Sequence, residues 1–299
     1  MNSFSFYLTT TFIKLKGIKS NFSKSPVDYI KIRKNDVKYP TKNLVLNQEI
    51  NSVKISQSIL TEITPKNIKN NNTVLFYCPG GAFISGPNEL NWKSIATIAK
   101  ETNLKAFLID YPKAPEVIIE EMNDNIDDVY QYVSNQELIK NIILIGDSVG
   151  GTLLTLLVQR LLKKVNCKLP KSIILISPVV DSSLTNPKII EKDKVDIILS
   201  INGILSAKKM CAGNLDLKSE NISPIYGNLK NFIPTTIFIA ENDIMQPDQE
   251  LFIKKMIQEN IKLEVFRGKN MPHIWPLLPI MKEAKNSLND IIKTINNQS

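Results

Sequence analysis

Asn141-Ile142-Ile143-Leu144-Ile145-Gly146-Asp147-Ser148-Val149-Gly150-Gly151 is the stretch that decides the fold. An apolar, β-branched run that ends in Gly-x-Ser-x-Gly and continues into Leu153-Leu154-Thr155-Leu156-Leu157 reads as strand, sharp turn and helix. Glycine is required at 146 and 150, because a Cβ at either place of so tight a turn would strike the neighbouring strand or helix. Ser148 is thereby lifted into a cleft with its hydroxyl exposed, the position of a nucleophile. A motif this short also occurs in ordinary turns, so the reading rests on what lies elsewhere in the chain.

Working outward, the chain contains one histidine, His273, in Met271-Pro272-His273-Ile274-Trp275 after the strand-like run Lys262 to Phe266. If a histidine base activates Ser148, no other residue is available. Asp243 follows another strand-like run, Thr235 to Ala240, and precedes His273 by 30 residues, room for a helix over Gln249 to Asn260 and one more strand. Asp248 is the rival carboxylate, but it follows Pro247 at a helix start, where capping and the helix dipole account for an acidic residue. Pro79-Gly80-Gly81-Ala82-Phe83 follows the strand-like Val74 to Cys78 and supplies small residues whose backbone N–H groups can approach a tetrahedral oxyanion. The expected donors are Gly81 and Ala82, with Val149 completing the hole; the bland alternative for Pro-Gly-Gly is a plain turn.

Taken in order, Gly80-Gly81-Ala82-Phe83, Asp110-Tyr111-Pro112-Lys113-Ala114-Pro115-Glu116, Gly146-Asp147-Ser148-Val149-Gly150-Gly151, Ser223-Pro224-Ile225-Tyr226-Gly227, and Asp243 with His273 resemble the hormone-sensitive-lipase-like branch of the α/β-hydrolases. The chain order Ser, Asp, His is that of the same fold. The resemblance spans about residues 74 to 275 and implies an esterase acting on carboxylic esters, often with short acyl chains, with no metal and no organic cofactor. It departs from the family at Pro79, where a histidine that helps to hold the oxyanion loop is usual; proline fixes its own φ and removes a backbone donor.

Strand-like runs at 74–78, 105–109, 141–145, 172–177, 235–240 and 262–266 alternate with helical stretches, which predicts an α/β fold with a mostly parallel sheet and helices on both faces. Weaker strand candidates at 43–47, 52–56 and 58–63 suggest an antiparallel edge. Residues 1–40 and the insertion at about 181–220 fall outside this alternation, and the resemblance implies that they form a helical cap; residues 41–299 then make up the catalytic domain.

Met1 to Ser25 sets Phe4, Phe6, Leu8, Phe12 and Leu15 among lysines with no acidic residue before Asp28, a pattern for a cap helix with a basic outer face or for weak contact with an anionic membrane surface. Neither a membrane span nor a secretory signal is indicated. The net charge of +8 comes from scattered lysines with only Arg33, Arg160 and Arg267 as arginines, a poor match to a nucleic-acid surface. Cys78, Cys167 and Cys211 form neither a disulfide framework nor a metal site, which points to a reducing cytoplasm. No feature specifies an oligomeric state. Two other readings stay open: a catalytically silent small-molecule binding protein on this fold, and an amidase or peptidase using the same triad.

Overall fold

Val74, Phe76 and Cys78 point to one side of the strand that carries them while Leu75 and Tyr77 point to the other, and Ile142 and Leu144 part from Ile143 and Ile145 in the same way. All are buried, so this part of the sheet is covered on both faces and its strands are continuously apolar. The computed structural model describes residues 2–69 and 72–298.

Among the described residues eight strands form one sheet: β1 Glu49–Ile55, β2 Ser58–Thr64, β3 Thr73–Cys78, β4 Lys105–Asp110, β5 Asn141–Asp147, β6 Ser172–Ile176, β7 Thr235–Asn242 and β8 Leu263–Pro272. Their spatial order is β1-β2-β4-β3-β5-β6-β7-β8, antiparallel at β1/β2 and β2/β4 and parallel thereafter. The stretch 43–47 is not a strand. Leu46 and Asn47 have φ of 53° and 57°, so the segment turns, tucks Val45 into the core and hands the chain to β1.

Among the described residues ten α-helices accompany the sheet: α1 Phe4–Leu15, α2 Ile18–Asn21, α3 Tyr29–Arg33, α4 Glu89–Thr102, α5 Ile119–Ser134, α6 Val149–Leu162, α7 Ile189–Val195, α8 Ile201–Ala212, α9 Gln246–Gln258 and α10 Lys282–Asn296. Residues from α5, α6, α8 and α9 pack in one core layer, and residues from α4 and α10 in the other. After β3 the chain moves to β4 on one side and then returns to β5 on the other, so the strand order reverses between β3 and β5. Crevices at the carboxyl ends of strands at such a reversal are where this class of sheet binds ligands. The Pro79 loop and Ser148 leave those two ends.

Outside the alternation, the segment that follows α1 packs against α8, while α1 itself lies on α10. Val27 N–H donates to Ser206 Oγ at 2.9 Å, and Gly203 lies so close to Phe22 that a Cβ on it would fall 1.5 Å from the Phe22 carbonyl oxygen.

Candidate active site

Ser148 sits at φ 51° and ψ −123°, a conformation that costs an L-residue on the order of 1–3 kcal/mol and persists only where its surroundings enforce it. They do so on two sides. A Cβ on Gly150 would lie 2.0 Å from the Cys78 carbonyl oxygen, and one on Gly146 2.7 Å from the Gly151 nitrogen, so the turn wedges between β3 and the start of α6. The Ser148 N–H is fixed by the Ile176 carbonyl at 2.9 Å. Residues 142–147 and 149–151 are buried while Ser148 keeps partial exposure, and among the described residues its hydroxyl has no hydrogen-bond partner. Steric necessity at the glycines thus presents one reactive group.

Asp243 follows β7 and His273 follows β8, neighbouring parallel strands whose carboxyl ends lie side by side. Asp243 Oδ2 accepts from His273 Nδ1 at 2.8 Å, and Oδ1 accepts from the Met245 N–H at 2.8 Å. A carboxylate on Nδ1 places the proton there and leaves Nε2 as the basic nitrogen. Both side chains are buried, at 0% and 3% exposure. Burial pulls the His273 pKa down, but the charge and hydrogen bond of Asp243, helped by Asp196 and Asp147, outweigh it, and the net shift is upward.

Asp248 stands in the first turn of α9, as its sequence context suggests, but capping does not account for it. It is buried, accepts from Asn186 Nδ2 at 2.8 Å, and is pushed up to about 6 by burial. The carboxylate brought to His273 is Asp243.

The loop Gly81-Ala82-Phe83 has φ of 134°, 54° and 66°, which turns its backbone N–H groups away from regular pairing. Among the described residues the N–H groups of Gly81, Ala82 and Val149 have no acceptor. Pro79 replaces the histidine expected by resemblance, and other groups hold the loop. Tyr111 OH donates to the Pro79 carbonyl at 3.2 Å, the Ala114 N–H to the Phe83 carbonyl at 2.9 Å, and Arg33 Nε to the Ile84 carbonyl at 2.6 Å. Arg33 is itself clamped bidentately by Glu116 at 2.8 and 2.6 Å. The motif from Asp110 to Glu116 is therefore a bracket for the loop.

Asp147, which the sequence displayed only as the variable position of the elbow, adds a fourth hold. It is buried and accepts from the Gly80 N–H, from Tyr77 OH at 2.5 Å and from Asn91 Nδ2 at 3.4 Å. Burial raises its pKa, while Tyr77 and Gly80 oppose that by bonding the carboxylate. Tyr77 was recognisable in the sequence as a polar residue in a buried strand two positions before the loop; Asn91 gave no such signal.

Ser223 to Gly227 secures the chain where the segment after β6 that carries α7 and α8 returns. Tyr226 OH donates to Asp181 Oδ2 at 2.7 Å, and Ser223 Oγ accepts from the Ser182 N–H at 2.6 Å. Lys208 of α8 lies fully buried there, its Nζ on the Asp181 carbonyl at 3.0 Å, and burial lowers its pKa to about 7. Cys78 is buried beside the loop, and burial raises its thiol above the ordinary range, which makes it inert. Among the described residues no group of three or more His, Cys, Asp or Glu is placed to hold a metal ion.

Comparison with known proteins bears on the fold. A family model described as an alpha/beta hydrolase fold matches residues 75–277. The chain belongs to the α/β-hydrolase family. An esterase of Acinetobacter venetianus is 29% identical to this α/β-hydrolase over 226 residues, 73% of each chain. A carboxylesterase/phospholipase, LipF of Mycobacterium tuberculosis, is 25% identical over 73% of this chain and 60% of its own. The crystal structure of an esterase from the bacterial hormone-sensitive lipase family shares the hydrolase fold, with a TM-score of 0.86 at 17% identity over 100% of this chain and 99% of that one.

Proposed function

We propose that this α/β-hydrolase is a serine esterase of the hormone-sensitive-lipase-like branch, cleaving small-molecule carboxylic esters of short acyl chain. The observation that carries the reading is the buried 2.8 Å bond between Asp243 and His273 beside a strained Ser148 that exposes its hydroxyl. The esterase and carboxylesterase/phospholipase relatives support the substrate class.

In this reading His273 Nε2 takes the Ser148 proton as Oγ attacks the ester carbonyl, and Asp243 holds the tautomer and balances the imidazolium. The tetrahedral oxygen is received by the Gly81, Ala82 and Val149 N–H groups, the last at the positive end of α6. His273 returns the proton to the departing alcohol, and water repeats the sequence on the acyl-enzyme. Residues 1–40 and 181–220 form the cap over residues of the 41–299 catalytic domain. The three free thiols, two of them buried, fit a reducing compartment such as the cytoplasm. The outward stripe Phe4, Leu8, Phe12 and Leu15 beside Lys14 and Lys16 is the surface for any weak contact with an anionic membrane; no helix of the described residues is long and apolar enough to cross one.

Paired assays with p-nitrophenyl acetate and the matching anilide test the function. Ester turnover that far exceeds anilide turnover and disappears in Ser148→Ala is the expected result. Comparable anilide turnover identifies an amidase, and turnover of neither identifies a binding protein.

A further inference from the structure

Asp196 lies outside the proposed triad and holds the loop that carries one of its members. It terminates α7 in the second cap segment, far from Asp243 in sequence, yet it is only 3% exposed. Its Oδ1 accepts from the Ile198 and Leu199 N–H groups at 2.7 and 2.8 Å, and its Oδ2 from the Ile244 N–H at 3.0 Å. Ile244 is the neighbour of Asp243, so one cap carboxylate closes its own turn with one oxygen and grips the Asp243 loop with the other.

A second tie lies three residues before Ile244, near the carboxyl end of β7. Lys192 Nζ, from α7, donates to the Glu241 carbonyl at 2.5 Å, so the cap seizes the chain on both sides of Asp243. The cap residue is held in turn from the N-terminal segment: Lys19 Nζ reaches the Asp196 carbonyl at 3.1 Å and pairs with Asp193 at 3.0 Å. Burying a second carboxylate next to Asp243 is unfavourable by itself, since burial and the Asp243 charge both raise the Asp196 pKa. A neutral turn-capping residue would avoid that cost. What the carboxylate adds is negative charge close to Asp243, which favours the charged form of His273.

We propose that Asp196 is a positioning residue of the cap: it fixes the Asp243 loop and supplies a second negative charge behind the Asp243–His273 pair, so that the basicity of His273 depends on a seated cap. This rests on the esterase reading. The other charged groups acting on the assembly are Asp147 from the elbow, which favours imidazolium, Lys208 from α8, which acts on Asp243, and Lys19, Lys192 and Asp193 around the Asp196 turn. None of them shares the bond from Asp196 to Ile244.

Asp196→Asn is the test, because the amide keeps an oxygen for the Ile198 and Leu199 N–H groups while removing the charge and turning a donor toward Ile244. The expected kcat on p-nitrophenyl acetate falls about tenfold with KM little changed, and the midpoint of the acid limb moves down by about 0.5 to 1 pH unit. As His273 is the sole imidazole, its NMR titration should show the same displacement in the absence of substrate. A folded Asp196→Asn protein with wild-type kcat and an unmoved His273 midpoint overturns the proposal, as does lost activity with an unmoved midpoint, the mark of a merely structural turn. If Asp196→Asn does not fold, Lys192→Met loosens the same seat from the other side; the His273 midpoint should fall there too, and an unchanged midpoint overturns the proposal. The NMR titration needs no turnover, so failure of the esterase reading, seen as activity persisting in Ser148→Ala, is separable from failure of this one.

Discussion

The Ile274 N–H donates to Ser177 Oγ at 3.0 Å, one residue past His273 and one residue past the carbonyl of Ile176 that fixes the Ser148 N–H at 2.9 Å. Adjacent residues at the end of β6 thereby hold the two loops that must exchange a proton, so the nucleophile and its base share an anchor in the sheet. Catalytic hydrogen bonds are often loose before substrate binds, and this anchor limits how far the pair can separate.

Ser148 is expected to be the covalent nucleophile. A fluorophosphonate probe should label it, and Ser148→Ala should abolish both labelling and turnover while leaving the fold intact, because the substitution removes one atom from a partly exposed side chain. Labelling of another serine, with Ser148→Ala active, contradicts the assignment.

The sole histidine makes the pH profile readable. Because the His273 pKa is raised above its ordinary 6.5, kcat/KM should fall in acid through one ionisation centred above 6.5, the base being active only when neutral. The stability effect has the opposite sense: the raised pKa contributes stability that is full below about 6.5 and is lost as pH rises through the folded-state midpoint. His273→Ala should therefore lose several powers of ten in turnover, and its stability should differ most from wild type on the acid side. A His273→Ala protein that keeps a tenth of wild-type kcat/KM excludes the imidazole as base.

The altered oxyanion loop gives a third expectation. Tyr77→Phe removes the 2.5 Å bond to Asp147 without changing the packing of the ring, so the carboxylate that fixes the Gly80 N–H loses its strongest partner. Turnover should fall roughly tenfold with KM unchanged, since the hole acts on the transition state; loss of one whole donor in comparable sites costs roughly 10² to 10³. Stopped-flow acylation with unchanged kcat in Tyr77→Phe would show that Tyr111, Ala114 and Arg33 suffice to hold the loop.

The legibility of the chain divides along the same line. The elbow, the single histidine and Asp243 were recognisable because apolar runs mark strands and each residue falls in the loop just after one. The grip of Asp147 on Gly80 and of Asp196 on Ile244 was not, because both are side chain to backbone bonds between distant segments, and backbone groups carry no residue identity. The segment 43–47 misled because Leu44-Val45-Leu46 is apolar enough for a strand, whereas the positive φ at Leu46 and Asn47 is imposed by packing.

Lys208 predicts a pH-dependent stability difference. With its folded pKa lowered to about 7 and its unfolded value near 10.4, the unfolded chain holds the proton between those limits and the folded chain does not. Raising the pH through that window therefore favours folding of the wild type, and Lys208→Met lacks this gain. Chemical denaturation at pH 7 and pH 10 should show wild type improving relative to the variant; a constant difference would mean that Asp181 and Asp248 keep the ammonium charged throughout.

In the proposed function, acyl-chain selectivity follows from how firmly the proposed cap is fastened. Its two segments meet where Gly203 touches the Phe22 carbonyl, and they are tied to the catalytic side by Arg33 on Ile84 and by Asp196 on Ile244. A proposed cap held at both ends would give a pocket of fixed length, and each added methylene helps by roughly 0.8 kcal/mol only while it can be buried. Hydrolysis of p-nitrophenyl esters should therefore fall markedly between acyl chains of about four and about twelve carbons. Gly203→Ala tests the cause. Its Cβ would lie 1.5 Å from the Phe22 oxygen, so the segments must part, which should lower Tm and flatten the chain-length profile toward longer acyl groups. A wild-type rate that keeps rising to the longest soluble chain, or a Gly203→Ala profile as steep as wild type despite a lowered Tm, would place the limit on chain length elsewhere than in the cap.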